Sequence, residues 1–144
     1  MEQKKLELAV LLQDLMLAFV INTAATILNG GFADTGLYLV GMFEAFCINY
    51  IAGIALPVAQ IGEAAASVFP FESTSFAHRF FKTLVINAIF VTIISFTIAL
   101  LNHGLYAGLA AAWWATYPVL HLVGLVTSLL IEQSCVKLAE TILS

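Results

Sequence analysis

Residues 13–29 read QDLMLAFVINTAATILN. The stretch is apolar enough to enter a bilayer, yet it carries Asp14, Asn22 and Asn29. Steps of three and four keep direction on a helix of 3.6 residues per turn. Asp14, Ala18, Asn22, Ala25 and Asn29 therefore share one face. Seventy-three residues later the third hydrophobic segment presents Asn87, Val91, Ser95, Ile98 and Asn102 in the same register. Three of the five positions are polar in both copies. A polar stripe that recurs at one spacing predicts a duplicated unit.

Composition sets the environment. The 144 residues are 62% hydrophobic and 10% charged, with a mean hydropathy of +1.02. Soluble domains carry roughly a quarter charged residues, so an integral membrane protein is expected, in contact with the lipid bilayer through surfaces that suit its eleven Phe. A spanning helix needs about 20 mainly apolar residues. Four segments qualify, at 8–29, 37–62, 80–101 and 105–131. They predict an all-α, four-helix membrane bundle, a single transmembrane domain over 1–144 with no soluble domain. A net charge of −4 without a basic stripe excludes nucleic acid as a partner. Lys4 and Lys5 resemble the positive end of a signal peptide, but Gln13 and Asp14 interrupt the apolar region and no small-x-small site follows. The first segment is therefore read as a mature helix. Cys47 and Cys135 read as small apolar helix residues.

The basic residues are Lys4, Lys5, Arg79, Lys82 and Lys137. With four spans, all fall on one side of the membrane, and the other side holds Asp34. Positive charge marks the inside, which predicts cytoplasmic termini. Asn29-Gly30-Gly31 and Asn102-His103-Gly104 stop the first and third helices. Each is followed by a second helix opening on Gly-Leu-Tyr, at Gly36 and at Gly104. The second helix is expected to kink between Gly53 and Pro57, because proline lacks a backbone donor and crowds the preceding turn. Phe69-Pro70-Phe71 breaks the chain before the third helix, and Ser73, Thr74 and Ser75 are candidate N-caps. The repeats are then 6–69 and 79–144. Each contains an even number of spans, so both insert in one orientation, as parallel tandem hairpins about an axis along the membrane normal.

A polar-interrupted helix, an Asn-containing turn, and a second helix with Gly-Leu-aromatic at its start and a proline inside resembles the bacterial family called domain of unknown function 2798. Leu84 to Leu138 is the better match, through Trp113-Trp114…Tyr117-Pro118. The first unit departs from that pattern, with Asn49-Tyr50 in place of Tyr117-Pro118 and its proline later, at Pro57. The resemblance implies a fold and a bacterial inner membrane, and names no activity. The tandem layout is also similar to that of the small multidrug-efflux proteins, whose Trp-Asn and Arg-x-x-His motifs are not found here.

Charge at the centre of a bilayer costs roughly 2.5 kcal/mol or more, so intramembrane acids need a reason. Glu44 lies inside the second helix with no Lys or Arg at its depth. It reads either as a proton or cation site or as a neutral acid bonded to Asn22. Asp14, near the cytoplasmic end of the first helix, reads as an exchange point for protons or as an acid reaching the interface. His121 reads as a proton relay or as a neutral ring bonded to Glu63 or a carbonyl. Asn22, Asn29, Asn87, Ser95 and Asn102 either glue helices together or line a cavity. Trp113 and Trp114 face a ligand pocket or lipid. Neither His103 nor His78 has metal-ligand spacing, no cofactor is expected, and the motifs of hydrolases, zinc proteases and phosphate-binding loops are missing, so no enzyme is expected.

The expectation is a small transport or permeation protein, passing a small cation or lipophilic compound with coupled protons. It would work as a homodimer or higher homo-oligomer, since four helices barely enclose a route. The alternative is a non-transporting structural or regulatory subunit that binds a protein partner through the loop from Phe69 to His78.

Overall fold

The computed structural model describes residues 2–143 and is all-helical among them; Ser144, the end of the second expected unit, lies outside the described residues. The helices are α1 (Glu2–Leu28), α2 (Thr35–Ala55), α3 (Val58–Ala66), α4 (Phe76–His103) and α5 (Leu109–Ile142). Four of them hold stretches long and apolar enough to cross a membrane: Glu7–Leu28, Thr35–Ala55, Phe76–His103 and Leu109–Ile142. By length and composition this is a multi-pass membrane protein.

The helix ends follow local chemistry. α1 stops where Gly30 and Gly31 take φ of 111° and 93°, a region that side chains with a Cβ rarely enter. Gly31 N–H donates to the Thr26 carbonyl at 2.9 Å and Gly30 N–H to that of Ile27 at 3.3 Å, so the last carbonyls of the helix are satisfied. Asp34 caps α2, its Oδ1 accepting from the N–H groups of Gly36 (2.8 Å) and Leu37 (3.1 Å). Of the three expected caps for α4, Ser75 serves, accepting from the His78 N–H at 3.1 Å.

α1 begins at Glu2, ahead of the expected start at 8, and two further segments depart from the expected bounds. The single helix expected at 37–62 is divided. Leu56 is extended (φ −116°, ψ 138°), as a residue before proline is driven to be, and α3 restarts beyond Pro57 as a separate element. The kink is thus a break. The last helix begins at Leu109 rather than at 105 and runs to Ile142, well past 131. Pro118 lies inside it. A spanning-length estimate stops at the end of the apolar run, whereas the helix continues through Glu132 and Lys137.

α1 packs on α2 and α5, and α4 packs on α5, α3 and α2. The core joins Leu17, Ala18 and Ile21 of α1 to Ala45 and Ala52 of α2, Phe90, Val91 and Ile94 of α4, and Leu120 of α5. The outer surface carries exposed Phe19, Ile27, Leu37, Phe43, Ile54, Trp114 and Leu130, as a lipid-facing surface should. In hydrocarbon, burying such groups gains little. Close packing and interhelical hydrogen bonds hold the helices together instead.

Candidate functional site

The two polar stripes meet the same cavities. The larger, of about 340 Å³, is lined by Val10, Gln13, Asp14 and Leu17 of α1 and by Thr83, Ile86, Asn87 and Phe90 of α4. Each α4 residue in that group lies seventy-three positions after one in α1. Lys82 of α4, Gly53 of α2, the break between α2 and α3 from Leu56 to Gln60, and Ser128 and Glu132 of α5 complete the wall. The smaller cavity, of about 90 Å³, is lined by Asn22, Ala25 and Asn29 of α1 and Ser95, Ile98 and Asn102 of α4. The same spacing relates those residues. Between the two sets lie Ala18 and Ile21 of α1 and Val91 and Ile94 of α4, each no more than 1% exposed. Two mainly apolar cavities, each carrying polar side chains of both stripes, are thus separated by an apolar plug.

Among the described residues, Asp14 is the acid of the larger cavity that stands without a cation. It is 6% exposed, and its Oδ1 accepts from Asn49 Nδ2 on α2 at 2.9 Å. The other charged groups of this wall are committed. Lys82 Nζ is 3.0 Å from Glu63 Oε2, and Arg79 Nε is 3.4 Å from Glu132 Oε2, an ion pair rather than a hydrogen bond. Asp14, Val10 and Gly53 also line a recess of about 630 Å³ between α1 and α2, which reaches Lys4 and Glu7. The carboxyl therefore stands between two cavities, with a neutral amide as its partner. Such a group can take up a proton or hold a small cation. Asn49 holds the carboxyl inside the bundle.

Glu63, on α3 outside the spanning segments, bridges to α4. Its Oε1 lies 2.8 Å from His78 Nε2 and its Oε2 meets Lys82. The hydrogen bond from Lys82, then that from His78, hold its carboxyl below the usual range. This clasp fixes α3 against α4 where α3 forms part of the larger cavity's wall.

The remaining residues singled out above fall as follows. Glu44 is half-buried, bonds to no described residue, and lines none of the three cavities. Its expected partner Asn22 instead donates to the Tyr38 carbonyl at 3.0 Å. His121 meets neither Glu63 nor the larger cavity. Its Nδ1 lies 3.2 Å from Asn87 Nδ2, which also donates to the His121 carbonyl at 3.0 Å. Ser95 donates to the Val91 carbonyl and accepts from Trp113 Nε1 at 2.8 Å. Asn29 turns back on its own helix, donating to the Ala25 carbonyl at 2.8 Å, and Asn102 is exposed. Trp113 lines the smaller cavity, while Trp114 is 61% exposed and stacks on Tyr117. Among the described residues no three His, Cys, Asp or Glu side chains form a metal-binding group.

Three residues were missed. Asn49, fully buried, was read only as a departure from a family pattern, although an Asn in an apolar span is itself a signal. Gly41 and Gly124 seat the stripe amides. A Cβ on Gly41 would lie 2.7 Å from Asn22 Oδ1, and one on Gly124 would lie 2.6 Å from Asn87 Oδ1. In each case the amide donates to the carbonyl three residues before the glycine. The pattern is Asn against Tyr38-x-x-Gly41 or His121-x-x-Gly124.

No family model, curated protein or solved structure matches the chain.

Proposed function

We infer that this membrane protein is a transport or permeation protein whose route follows the bundle axis, carrying a small cation or a lipophilic solute. One observation carries the reading: residues seventy-three apart on α1 and α4 together line two cavities that hold the polar stripe residues, with an apolar plug between them. Hydrophobic constrictions gate by excluding water, and Ala18, Ile21, Val91 and Ile94 form one. The shared lining also supports 6–69 and 79–144 as parallel repeats, with α1 and α4 as counterparts. Lys82 at the larger cavity supports that end as the cytoplasmic one, by the excess of basic residues expected there. Coupling belongs to Asp14 rather than Glu44, because Asp14 lines the larger cavity and Glu44 lines none. The likeness to domain of unknown function 2798 adds no activity to this reading.

A second reading, the non-transporting subunit, is favoured by a different observation. Asn22, Asn87 and Ser95 spend their hydrogen bonds on neighbouring helices, as packing residues do. The partner-facing surface would then be the loop where Phe69 and Phe71 stack on Phe81, at 4.5 and 5.7 Å.

Flux in proteoliposomes loaded with a pH-reporting dye separates the two. The protein is challenged with metal cations, amines and lipophilic cations. Transport predicts a substrate-dependent pH change, lost in Asp14→Asn and kept in Glu44→Gln. No response from folded wild type across the panel favours the subunit.

A further inference from the structure

α2 turns two faces to its surroundings. Ala45, Asn49 and Ala52 are buried against the bundle. On the far side Leu37, Val40 and Ile51 are 71%, 55% and 63% exposed. Glu44 and Cys47 fall on that same outer strip, since 37, 40, 44, 47 and 51 follow steps of three and four. The strip is otherwise apolar. Glu44 lies nine residues from the start of α2, about 13 Å along the helix at 1.5 Å per residue. A short acidic side chain at that depth is held within the hydrocarbon, where an unpartnered carboxyl is costly. Among the described residues it has neither a hydrogen bond nor an ion pair, and it lines none of the three cavities.

We propose that this strip is the contact between two copies of the chain, related by a twofold axis along the membrane normal, with the two Glu44 carboxyls hydrogen-bonded to each other. The argument for a second copy is the chemistry of the group. A carboxylic acid has both a donor O–H and an acceptor oxygen, so two acids, or an acid and a carboxylate sharing one proton, complement each other. An axis normal to the membrane sets both Glu44 residues at the same depth, and a self-complementary patch is what a twofold contact requires. The neighbouring Leu37, Val40 and Ile51 then pack across the axis. Cys47, one turn along the strip, meets its own counterpart and reports on the contact. The dimer stands apart from the transport reading, because Glu44 lies outside the cavities that carry it.

Native membranes containing the full chain are oxidised with copper phenanthroline and resolved without reductant. A dimer band is expected in wild type and in Cys135→Ser, and none in Cys47→Ser. Its absence in wild type, or capture of a different protein through Cys47, overturns the proposal. Energy transfer between labelled copies in bilayers reads the carboxyl pair itself. Glu44→Gln, whose amide also donates and accepts, is expected to keep the dimer. Glu44→Ala is expected to weaken it roughly tenfold, the scale of strong interhelical hydrogen bonds in model peptides. Glu44→Lys is expected not to pair with itself but to pair with wild type. Dimerisation indifferent to all three substitutions overturns the role of Glu44.

Discussion

At Gly124 a hydrogen atom does what no other side chain can. A Cβ there would stand 2.6 Å from Asn87 Oδ1, 3.0 Å from Val91 Cγ2 and 3.2 Å from Ile21 Cδ1. Gly124→Ala is therefore expected to destabilise the bundle by about 1–3 kcal/mol, the usual cost of overpacking, as read from reversible unfolding in bicelles. Asn49→Ala removes the Asn49 hydrogen bond to Asp14. It should cost about 1 kcal/mol, near the scale of interhelical bonds in membranes. Asp14→Asn should fold, since an amide stands at the matching position, Asn87. The polar stripe was legible in the sequence because its spacing is helical and it occurs twice. What Asp14 meets was not, because Asn49 lies thirty-five residues away on another helix. Periodicity reports which face a residue shares and is silent on what faces it. For the same reason Glu44 looked like the central acid from depth alone, while packing gives the larger cavity to Asp14.

Helix α3 shows how a break becomes a wall. Pro57 ends α2, and the short helix beyond it is held to α4 by Glu63 through Lys82 and His78. The Glu63 carboxyl is held below its ordinary value of 4.5, so these contacts stabilise the folded state above that value and are lost as the pH falls through the lower, folded one. Spin labels on α3 and α4 should accordingly separate as the pH falls through that depressed folded value, below the ordinary carboxylate range. In Glu63→Gln the distance should be longer at neutral pH and insensitive to acid. An equal distance in wild type and Glu63→Gln at neutral pH would remove Glu63 as the clasp. Proline marked this region in the sequence, but a kink and a break have the same local signature. The α3–α4 docking that distinguishes them is tertiary. The ends of α1 and α4 were readable because Gly30, Gly31 and Gly104 adopt positive φ, which glycine enters freely. The end of α5 was not, since nothing stops a helix when its apolar run gives way to polar residues.

Over the whole molecule, hydropathy alone predicted four long apolar helices, because a bilayer leaves few alternatives for satisfying the backbone. The repeated stripe marked the residues of α1 and α4 that line the two cavities, but neither their shared lining nor the plug was read from it. Ala18, Ile21, Val91 and Ile94 are ordinary apolar residues until the stripes are brought face to face. If the plug is the barrier, replacing Ile21 and Ile94 together by Ser should raise passive leak through proteoliposomes without abolishing folding. The axial route is tested most directly by accessibility along α1. Single cysteines are placed at positions 14, 18, 22, 25 and 29 in a chain lacking Cys47 and Cys135, and labelled with a membrane-impermeant thiol reagent from each side. Labelling at 14 from the side of Lys82, labelling at 22, 25 and 29 from the opposite side, and protection at 18 are expected. Protection of 14, 22 and 25 from both sides would show that the stripe is packing alone and contradict a route along the axis.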